Sequence, residues 1–344
     1  MPTLTIREKL EQREFNVLSD IATKSANSKG RKVDEPKSDM RTDFQRDRDR
    51  ILHSKAFRRL KHKTQVFLSP FDDHFRTRLT HTLEVSQIGR TIARALDLNE
   101  DLVEAISLGH DLGHTPFGHC GESVLNELVD GGFYHNLQSV RVVEVLENLN
   151  LCQETIDGIR THSWGFKPMT PEAKVVQLAD KIAYINHDIE DSIRAGVISE
   201  EDLPKDCIEY FSSDQSKRLN KMITEVVNNS IGKEDILMGE EAWGYTTKLR
   251  EWMFANVYND ECIAKLEETK ARRVIKELFY YYCVKLKPVC PEDKIIRVVT
   301  DYISGMTDRY AVERFKENFI PTGLKSGARE DYLFKLAQQS FDNR

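Results

Sequence analysis

Three short stretches of the sequence carry side chains that could bind one divalent metal ion. They contain His81, the adjacent pair His110-Asp111 and, far downstream, Asp180. Six of the ten histidines fall between residues 74 and 135, so the enrichment is local. Imidazole and carboxylate ligands suit Mn, Fe, Co or Mg, whereas thiolates favour Zn or iron–sulfur clusters. The sequence therefore predicts a metal site if the fold brings these remote residues together.

Helical periodicity predicts the elements that carry the first three of these residues. Over residues 83 to 96, apolar side chains recur three to four positions apart, which places His81 at the start of an amphipathic helix. A second helix is predicted over Leu102 to Leu108 and ends just before His110-Asp111. A third helix is predicted over residues 139 to 149.

The fourth candidate ligand lies in a predicted helix over residues 174 to 194. At about 100° per residue, its apolar and its acidic side chains fall on opposite faces. The apolar face contains Leu178, Ile182, Ile185 and Ile189, and the polar face contains Asp180, Tyr184, Asp188 and Asp191. A plain solvated face is one alternative. The polar face lacks the Lys/Glu mixture typical of surfaces and includes a candidate metal ligand, which favours a functional role.

The fold class predicted from these patterns is all-α, because strand signals are few and Gly and Pro are infrequent. The best strand candidate is a small β-hairpin. It would consist of Val66-Phe67-Leu68, a turn over residues 69 to 73 and a return strand from Phe75 to Thr77.

Changes in composition divide the chain into three predicted parts. The stretch from Ser25 to Met40 is rich in Ser, Lys, Gly and Asp, which is typical of a long loop. Pro204 separates two helical units. The three parts are an N-terminal arm or loop (residues 1–40), a catalytic core (41–204) and a C-terminal helical subdomain packed on that core (205–344).

Overall composition argues against some classes of protein. Fifty Lys and Arg residues against 56 Asp and Glu residues give a net charge of −6, which disfavours a general nucleic-acid binder. The segment from Arg41 to Lys63 is locally basic and could bind a polyanion, but Arg46 to Arg50 alternates with aspartates and could instead form a salt-bridged helix face. Six scattered cysteines, no signal-peptide core and no apolar run near the roughly 18 residues of a membrane span predict a cytoplasmic protein.

Several motifs, taken in order along the chain, resemble those of one known superfamily. They are Phe57-Arg58-Arg59-Leu60, Lys63-Thr64-Gln65-Val66-Phe67, Arg76-Thr77-Arg78-Leu79-Thr80-His81, His110-Asp111-Leu112-Gly113-His114-Thr115-Pro116-Phe117-Gly118-His119, Phe133-Tyr134-His135-Asn136-Leu137-Gln138-Ser139 and Ala179-Asp180-Lys181-Ile182-Ala183-Tyr184. Within residues 41 to 195, the chain resembles the HD-domain superfamily of metal-dependent phosphohydrolases. More narrowly, it is similar to the deoxynucleoside triphosphate triphosphohydrolases, the dGTPase-like proteins. The resemblance implies an HD-domain helical core.

The resemblance also implies metal ligands and phosphate contacts. The implied metal ligands are His81, His110, Asp111 and Asp180. The residues implied around the phosphates are Arg78, His114, His119, His135 and Lys181. Two neutral imidazoles and two carboxylates would balance the charge of a divalent ion such as Mn, Mg, Fe or Co. The hydrolysis of a triphosphate also needs cations and hydrogen-bond donors directed at developing negative charge.

Four of these residues are the implied catalytic candidates, namely His119, His135, Asp111 and His114. We expect His119 and His135 closest to the reacting phosphorus, with His135 as the general acid for the leaving 5′-oxygen. For His114 the alternative is a structural role in holding the turn at Gly113. Some family members have a His-Glu pair where this chain has His135-Asn136. Asn136 cannot supply a carboxylate, so the metal, with Asp111 or a nearby histidine, would activate the water.

The family resemblance assigns the sugar to Gln65, Tyr184 and Asp188. Gln65 and Asp188 would bind the 3′-hydroxyl, and the ring of Tyr184 would pack where a 2′-hydroxyl projects. The implied reaction is metal-dependent hydrolysis of deoxynucleoside triphosphates (dNTPs) to deoxynucleoside and inorganic triphosphate.

Two other functions remain open from the sequence. One is an HD phosphohydrolase that acts on another nucleotide or on single-stranded nucleic acid, which is possible but not indicated. The other is a non-catalytic dNTP sensor. The resemblance further implies a homo-oligomer with dNTPs as possible allosteric effectors, and no membrane partner is expected.

Overall fold

The computed structural model describes residues 4–65, 74–258 and 263–321. The described residues form fifteen α-helices. These are α1 (Ile6–Val17), α2 (Asp43–His53), α3 (Lys55–Arg59), α4 (Arg78–Ala95), α5 (Glu100–Gly109), α6 (Gly118–Leu128), α7 (His135–Arg141), α8 (Gln153–Thr161), α9 (Pro171–Arg194), α10 (Lys205–Phe211), α11 (Gln215–Ser230), α12 (Glu240–Met253), α13 (Ile263–Leu286), α14 (Glu292–Ser304) and α15 (Asp308–Phe319). The prediction of an all-α protein is confirmed.

Short turns connect or extend some of these helices. Three 3₁₀ turns cover Ser25–Asn27, Leu60–His62 and Glu200–Asp202, and two π-helical turns cover Val142–Leu146 and Phe254–Tyr258. In the described parts of the chain, extended pairing is limited to the isolated antiparallel bridges Arg31 with Cys152 and Thr64 with Thr77.

The predicted β-hairpin falls largely on residues that the structure does not describe. Its first strand, Val66-Phe67-Leu68, and the turn over residues 69 to 73 lie outside the described residues. The hairpin is therefore not shown. On either side of the gap, Thr64 and Thr77 form an antiparallel bridge.

Helices α4, α5 and α9 pack against one another and form the centre of the main core. Ile88 of α4, Ile106 of α5 and Ile182 of α9 are completely buried. A Cβ atom at Gly89 would lie 2.8 Å from Cγ1 of Val103, so glycine permits the close approach of α4 to α5. Each fully buried side chain of this kind stabilises the fold by about 1.5–3 kcal/mol. The three helices that carry the predicted metal ligands therefore have a rigid base.

Local capping explains where two of these helices begin. Helix α4 starts before the predicted residue 83, because Thr77 forms a capping box with Thr80. Helix α9 starts at Pro171, where a missing N–H costs nothing, and the Thr170 side chain accepts a hydrogen bond from the N–H of Ala173.

The N-terminal region, predicted as an arm or loop, contains one helix and a loop that contacts the core. Helix α1, which the sequence analysis did not predict, begins with a capping box between Thr5 and Glu8. Arg31 then anchors the following loop to the core, because its Nη1 donates a 2.5 Å hydrogen bond to Oδ1 of Asp47. Asp47 is completely buried.

The basic residues of α2 are engaged in ion pairs. Arg46 and Arg50 both contact Glu35, at 3.0 and 2.6 Å, and Arg48 contacts Asp101 at 3.2 Å. This portion of the basic segment is therefore the salt-bridged helix face that the sequence left open.

Helices after residue 204 contribute to two different apolar cores. Met222 of α11 and Leu249 of α12 belong to the main core, together with α4, α5 and α9. Ile275 of α13 and Val299 of α14 instead pack with Leu125 of α6 in a second apolar core. The division of the chain at residue 204 stays a prediction.

None of the helices in the described part of the chain combines the length and the apolar character that crossing a membrane requires.

Candidate active site

Three of the four predicted metal ligands converge from three different helices. His81 comes from the first turn of α4, His110 from the end of α5 and Asp180 from the middle of α9. The Nε2 of His81 lies 3.1 Å from Oδ1 of Asp180, and the Nε2 of His110 lies 3.7 Å from the same oxygen. One ligand atom from each residue fits within 4.8 Å of the others. Residues about 100 positions apart are thus gathered at one point.

The orientation of His110 fits a metal ligand. Its Nδ1–H donates a 2.6 Å hydrogen bond to the carbonyl of Ser107, which leaves a lone pair on Nε2. That Nε2 is buried and has no hydrogen-bond partner among the described residues. A buried polar atom without a partner is costly, and a divalent cation would use this lone pair.

The charge states of His81 and Asp180 also suit a cation. Burial opposes both charged forms, but the hydrogen bond between the two side chains raises the pKa of His81 and lowers the pKa of Asp180. His81 is buried, and Asp180 is partly exposed towards the cavity. A divalent cation would bind the deprotonated forms of both side chains.

Asp111, the fourth predicted ligand, connects the metal ligands to a second group of side chains. Its Oδ1 lies 3.7 Å from the Nε2 of His110, while its Oδ2 accepts a 2.6 Å hydrogen bond from Nη1 of Arg78. Burial disfavours the Asp111 carboxylate, but Arg78 holds its pKa well below the usual range. One oxygen thus faces His110, and the other is committed to a buried guanidinium.

A second group contains His114, His119 and His135. The rings of His114 and His135 stack with centroids 4.7 Å apart, and the His119 ring lies 5.3 Å from that of His114. All three histidines line one cavity of about 190 Å³ with His81 and Asp180. The structure thus brings the candidate acid–base residues next to the candidate metal ligands.

Glu122 of α6 organises this group, and the sequence analysis missed it. Its Oε1 accepts 2.8 Å hydrogen bonds from both the backbone N–H and the Nδ1 of His135, and its Oε2 lies 3.3 Å from Nδ1 of His119. Burial opposes both charges of the pair. The mutual attraction nevertheless raises the pKa of His135 and lowers the pKa of Glu122. The contact with Glu122 therefore favours the imidazolium form of His135.

Asn136, at the position where some relatives were expected to have a carboxylate, serves the backbone. Its Nδ2 donates a 2.7 Å hydrogen bond to the carbonyl of Arg160. The carboxylate next to His135 comes instead from Glu122 on a different helix. The only signal in the sequence is the three-residue spacing of His119 and Glu122, which places both on one face of α6.

The ring of His114 does not hold the turn at Gly113. The Gly113 N–H donates to Oγ of Ser139 at 2.8 Å, and that Oγ donates to the carbonyl of His110 at 2.7 Å. Both ring nitrogens of His114 lack a hydrogen-bond partner among the described residues. Burial, assisted by Arg78, holds the pKa of His114 well below its usual range, so the ring is neutral.

His162 is a second residue that sequence reasoning missed. Its Nδ1–H donates a 2.8 Å hydrogen bond to the carbonyl of Ile159, and its Nε2 lies 3.1 Å from the Nε2 of His135. Burial lowers the pKa of His162 to about 3, so its neutral Nε2 is a hydrogen-bond acceptor for an Nε2–H of His135. The ring also lies 4.9 Å from that of His110. His162 therefore connects the two groups.

Two of the three predicted sugar residues line the cavity. Gln65 and Tyr184 belong to its wall. The side-chain oxygen Oε1 of Gln65 is buried without a hydrogen-bond partner among the described residues. Asp188 is buried two turns beyond Asp180 on α9 and is not part of that wall. The structure thus places Gln65 and Tyr184 in the wall of the cavity and Asp188 outside that wall.

The remaining wall of the cavity is aromatic and basic. The Nζ of Lys181 lies 2.8 Å from the centroid of a Trp164 ring and 4.9 Å from that of Trp243. Burial lowers the pKa of Lys181 to about 7. Arg250 and Phe254, from α12 and the turn after it, complete the wall. No spacing in the sequence connects α12 to the motifs, so the sequence analysis did not include these residues.

Comparison with known proteins gives consistent results. Residues 78–185 match the model of the HD domain, and residues 236–317 match that of the phosphohydrolase-associated domain. The chain is 56% identical over 333 residues to a deoxyguanosinetriphosphate triphosphohydrolase-like protein of Caldanaerobacter subterraneus, which covers 93% of this chain and 97% of that protein. A protein of the same description from Desulfatibacillum aliphaticivorans is 47% identical over 352 residues, with 93% and 100% covered. A solved structure of a hypothetical protein from Aquifex aeolicus aligns with 79% of this chain and 71% of that chain, at 21% identity and a TM-score of 0.47.

Proposed function

Because this chain belongs to the deoxyguanosinetriphosphate triphosphohydrolase-like family of HD-domain phosphohydrolases, we propose that it hydrolyses dNTPs to deoxynucleoside and inorganic triphosphate. The hydrolase class follows from the family, and the choice of dNTPs and of this bond is the proposal. One observation carries it. The cavity joins a metal-type donor set to His135, which is paired with the Glu122 carboxylate, and its wall includes Gln65 and Tyr184.

The donor atoms of His81, His110 and Asp180 lie close enough together to hold a divalent cation, and Asp111, whose Oδ1 lies 3.7 Å from Nε2 of His110, would be the fourth ligand. When bound, it would supply Lewis acidity that polarises a phosphate oxygen and lowers the pKa of water. Arg78 and Lys181, which both line the cavity, would place basic groups beside the triphosphate, whose negative charge favours the protonated form of Lys181.

The protein side chains would manage the protons of the reaction. Water forms a bond to the α-phosphorus and the bond from that phosphorus to O5′ breaks. His119, oriented by Glu122, would accept the proton of the attacking water. Glu122 raises the pKa of His135, and His135 would transfer its Nε2 proton, which is otherwise directed at His162, to the leaving O5′. The products are a neutral 5′-hydroxyl and inorganic triphosphate.

Two residues would select the sugar. The side-chain oxygen Oε1 of Gln65, which has no hydrogen-bond partner among the described residues, would accept a hydrogen bond from the 3′-hydroxyl. The Tyr184 ring would occupy the space into which a 2′-hydroxyl projects. A site built to pair one hydroxyl rejects an analogue without it strongly, because the buried protein group is then left without a partner.

The family relationship supports three further proposals. The protein would be cytoplasmic, where its substrates are found. It would form a homo-oligomer, and dNTPs would act as effectors as well as substrates. Sedimentation equilibrium with and without dGTP tests the assembly, and a concentration-independent monomer in both conditions would contradict it.

Product analysis tests the proposed reaction directly. Purified protein is incubated with each dNTP and Mn²⁺ or Mg²⁺ in H₂¹⁸O, and the products are separated by ion exchange and weighed by mass spectrometry. We expect inorganic triphosphate that carries ¹⁸O and deoxynucleoside that carries none. Nucleoside monophosphate with pyrophosphate would contradict the proposal. Tight dNTP binding without turnover in any metal would favour the sensor alternative.

A further inference from the structure

Asp308, the first residue of α15, receives hydrogen bonds from two segments that border the catalytic cavity. Its Oδ2 accepts a 2.9 Å hydrogen bond from the backbone N–H of Thr64, and its Oδ1 accepts a 2.9 Å hydrogen bond from that of Phe117. The Asp308 side chain is buried. Hydrogen bonds to a carboxylate are stronger than those between neutral groups.

Both of these backbone groups lie immediately before residues of the site. Thr64 precedes Gln65, and Phe117 precedes Gly118 and His119. An ideal Cβ at Gly118 would lie 3.2 Å from the carbonyl oxygen of Gln65, so the two segments also touch each other. One carboxylate therefore holds together the segment assigned to the sugar and the segment assigned to the acid–base chemistry.

The Phe117 segment has a conformation that needs such support. Phe117 has a φ of 62°, in the left-handed region that a bulky side chain rarely adopts, and Gly118 follows with a φ of 58°. Backbone strain of this kind persists where surrounding contacts enforce it. The hydrogen bond from Phe117 to Asp308 is a contact of this kind.

Lys63 makes a parallel connection at the other end of the same loop. Its buried ammonium group donates hydrogen bonds to the carbonyl of His114 and, at 2.8 Å, to the carbonyl of Ser304 at the end of α14. The loop from His114 to Phe117 is thus tied at both ends to the helices of the second apolar core. None of the four metal ligands contacts Asp308 or Ser304 through a hydrogen bond or ion pair among the described residues.

We propose that Asp308 is a positioning residue for the reaction, acting through Gln65 and His119 without contacting the substrate. This inference rests on the proposed function for its kinetic consequences. It assigns to the C-terminal helices the task of setting the distance between the sugar contact and the acid–base group. His81, His110 and Asp180, which lie on α4 and α9 and at the end of α5, would not depend on it.

The substitution Asp308→Asn separates positioning from folding. Asparagine has the same shape, but its amide NH₂ would face one of the two backbone N–H groups, so one hydrogen bond is lost. We expect kcat/KM for dGTP to fall about 10- to 100-fold, because small displacements of reacting groups have effects of this size. The preference for dGTP over its 2′,3′-dideoxy analogue should also shrink, because Gln65 is displaced.

Val298→Ala is the matched control. Val298 is buried in α14 within the same apolar core, so the change should lower Tm without touching either segment. Mn²⁺ affinity measured by calorimetry should be the same in wild type, in Asp308→Asn and in Val298→Ala. Hydrogen–deuterium exchange at the amides of Thr64 and Phe117 should accelerate only in Asp308→Asn.

Four outcomes decide the inference. Unchanged kcat/KM and sugar preference in Asp308→Asn would overturn it. Loss of Mn²⁺ affinity along with activity would also overturn it, since the role would then be general stability. An equal kinetic loss in Val298→Ala at a similar Tm would have the same meaning. If the wild type hydrolyses no dNTP, the proposed function fails instead, and the exchange rates of the two amides alone decide whether Asp308 holds the segments.

Discussion

Two groups of side chains that border one small cavity are built in opposite ways. The metal-ligand group contains the candidate ligands His81, His110, Asp111 and Asp180, and the histidine group contains His114, His119 and His135. His81 and Asp180 project from the long helices α4 and α9, which pack in the main core, and their positions follow from helix packing alone. His114 and His119 lie in or beside a loop with two left-handed residues. Backbone N–H groups of that loop donate hydrogen bonds to Ser139 and Asp308, and Lys63 donates one to its His114 carbonyl.

This difference indicates a division of labour. Rigid helices suit metal ligands, which must meet fixed distances and which a bound ion further stabilises. A loop on separate supports suits acid–base residues, whose pKa values depend on nearby charges such as those of Glu122 and Arg78. The two groups should therefore respond differently to substitution.

Removal of a metal ligand should have the largest effect. His110→Ala removes the Nε2 lone pair that would bind the metal, so Mn²⁺ affinity and turnover should fall together. Loss of an outer hydrogen-bond partner lowers metal affinity by about 10- to 100-fold, and we expect loss of the ligand itself to lower it by more than about 100-fold. Calorimetry and product analysis measure the two quantities. His62→Ala, outside the cavity, is the control. Turnover without Mn²⁺ binding in His110→Ala would contradict this prediction.

Loss of the Glu122 charge should affect chemistry and leave the metal in place. In Glu122→Gln, kcat should fall about 10²- to 10⁴-fold, the range for removal of acid–base assistance. Glu122 raises the pKa of His135, so without it the imidazolium loses its proton at lower pH. The alkaline limb of the rate profile should therefore move to lower pH. A limb that stays in place would show that His135 is not the acid, and lost Mn²⁺ affinity would break the separation of the two groups.

Tyr184→Ala should change selectivity more than rate. Removing the ring opens the space beside the sugar, so the ratio of kcat/KM for dGTP to that for GTP should fall by about 10-fold or more, within the range for pocket contacts of this kind. Competition assays with both nucleotides measure it. An unchanged ratio would favour an HD phosphohydrolase with a different substrate.

A surface substitution should have the smallest effect. Arg48 is partly exposed and contacts Asp101 at 3.2 Å. Surface ion pairs are worth about 0.2–1 kcal/mol, so Arg48→Ala should reduce the free energy of unfolding by no more than that and leave kcat unchanged. Urea denaturation measures the difference. A change in Mn²⁺ affinity here would show that α2 influences the metal ligands.

Much of the metal-ligand group could be predicted from the sequence, because helical periodicity and local motifs determine its positions. The helices around His81, His110 and Asp180 were predicted within a few residues of their observed bounds. Asp188 shows that helical periodicity alone does not predict which side chains of one helix face line the same cavity. It lies eight residues after Asp180, which corresponds to about 80° of rotation and about 12 Å along the axis, so a shared polar face does not place both in one cavity.

The histidine group was less predictable, because tertiary contacts assemble it. Glu122 meets His135 across the junction of two helices, and His162 reaches the site from the end of α8, with no periodic pattern to reveal either contact. Helix α1 was missed for a local reason. It is polar around most of its circumference, and its start depends on the Thr5 and Glu8 capping box.

The most direct test of the central claim is anomalous diffraction at the manganese edge from crystals grown with Mn²⁺. We expect a manganese peak bonded to Nε2 of His81, Nε2 of His110 and carboxylate oxygens of Asp111 and Asp180, beside the His114 and His135 rings. A manganese ion bound by other residues, with these four side chains left without one, would contradict it.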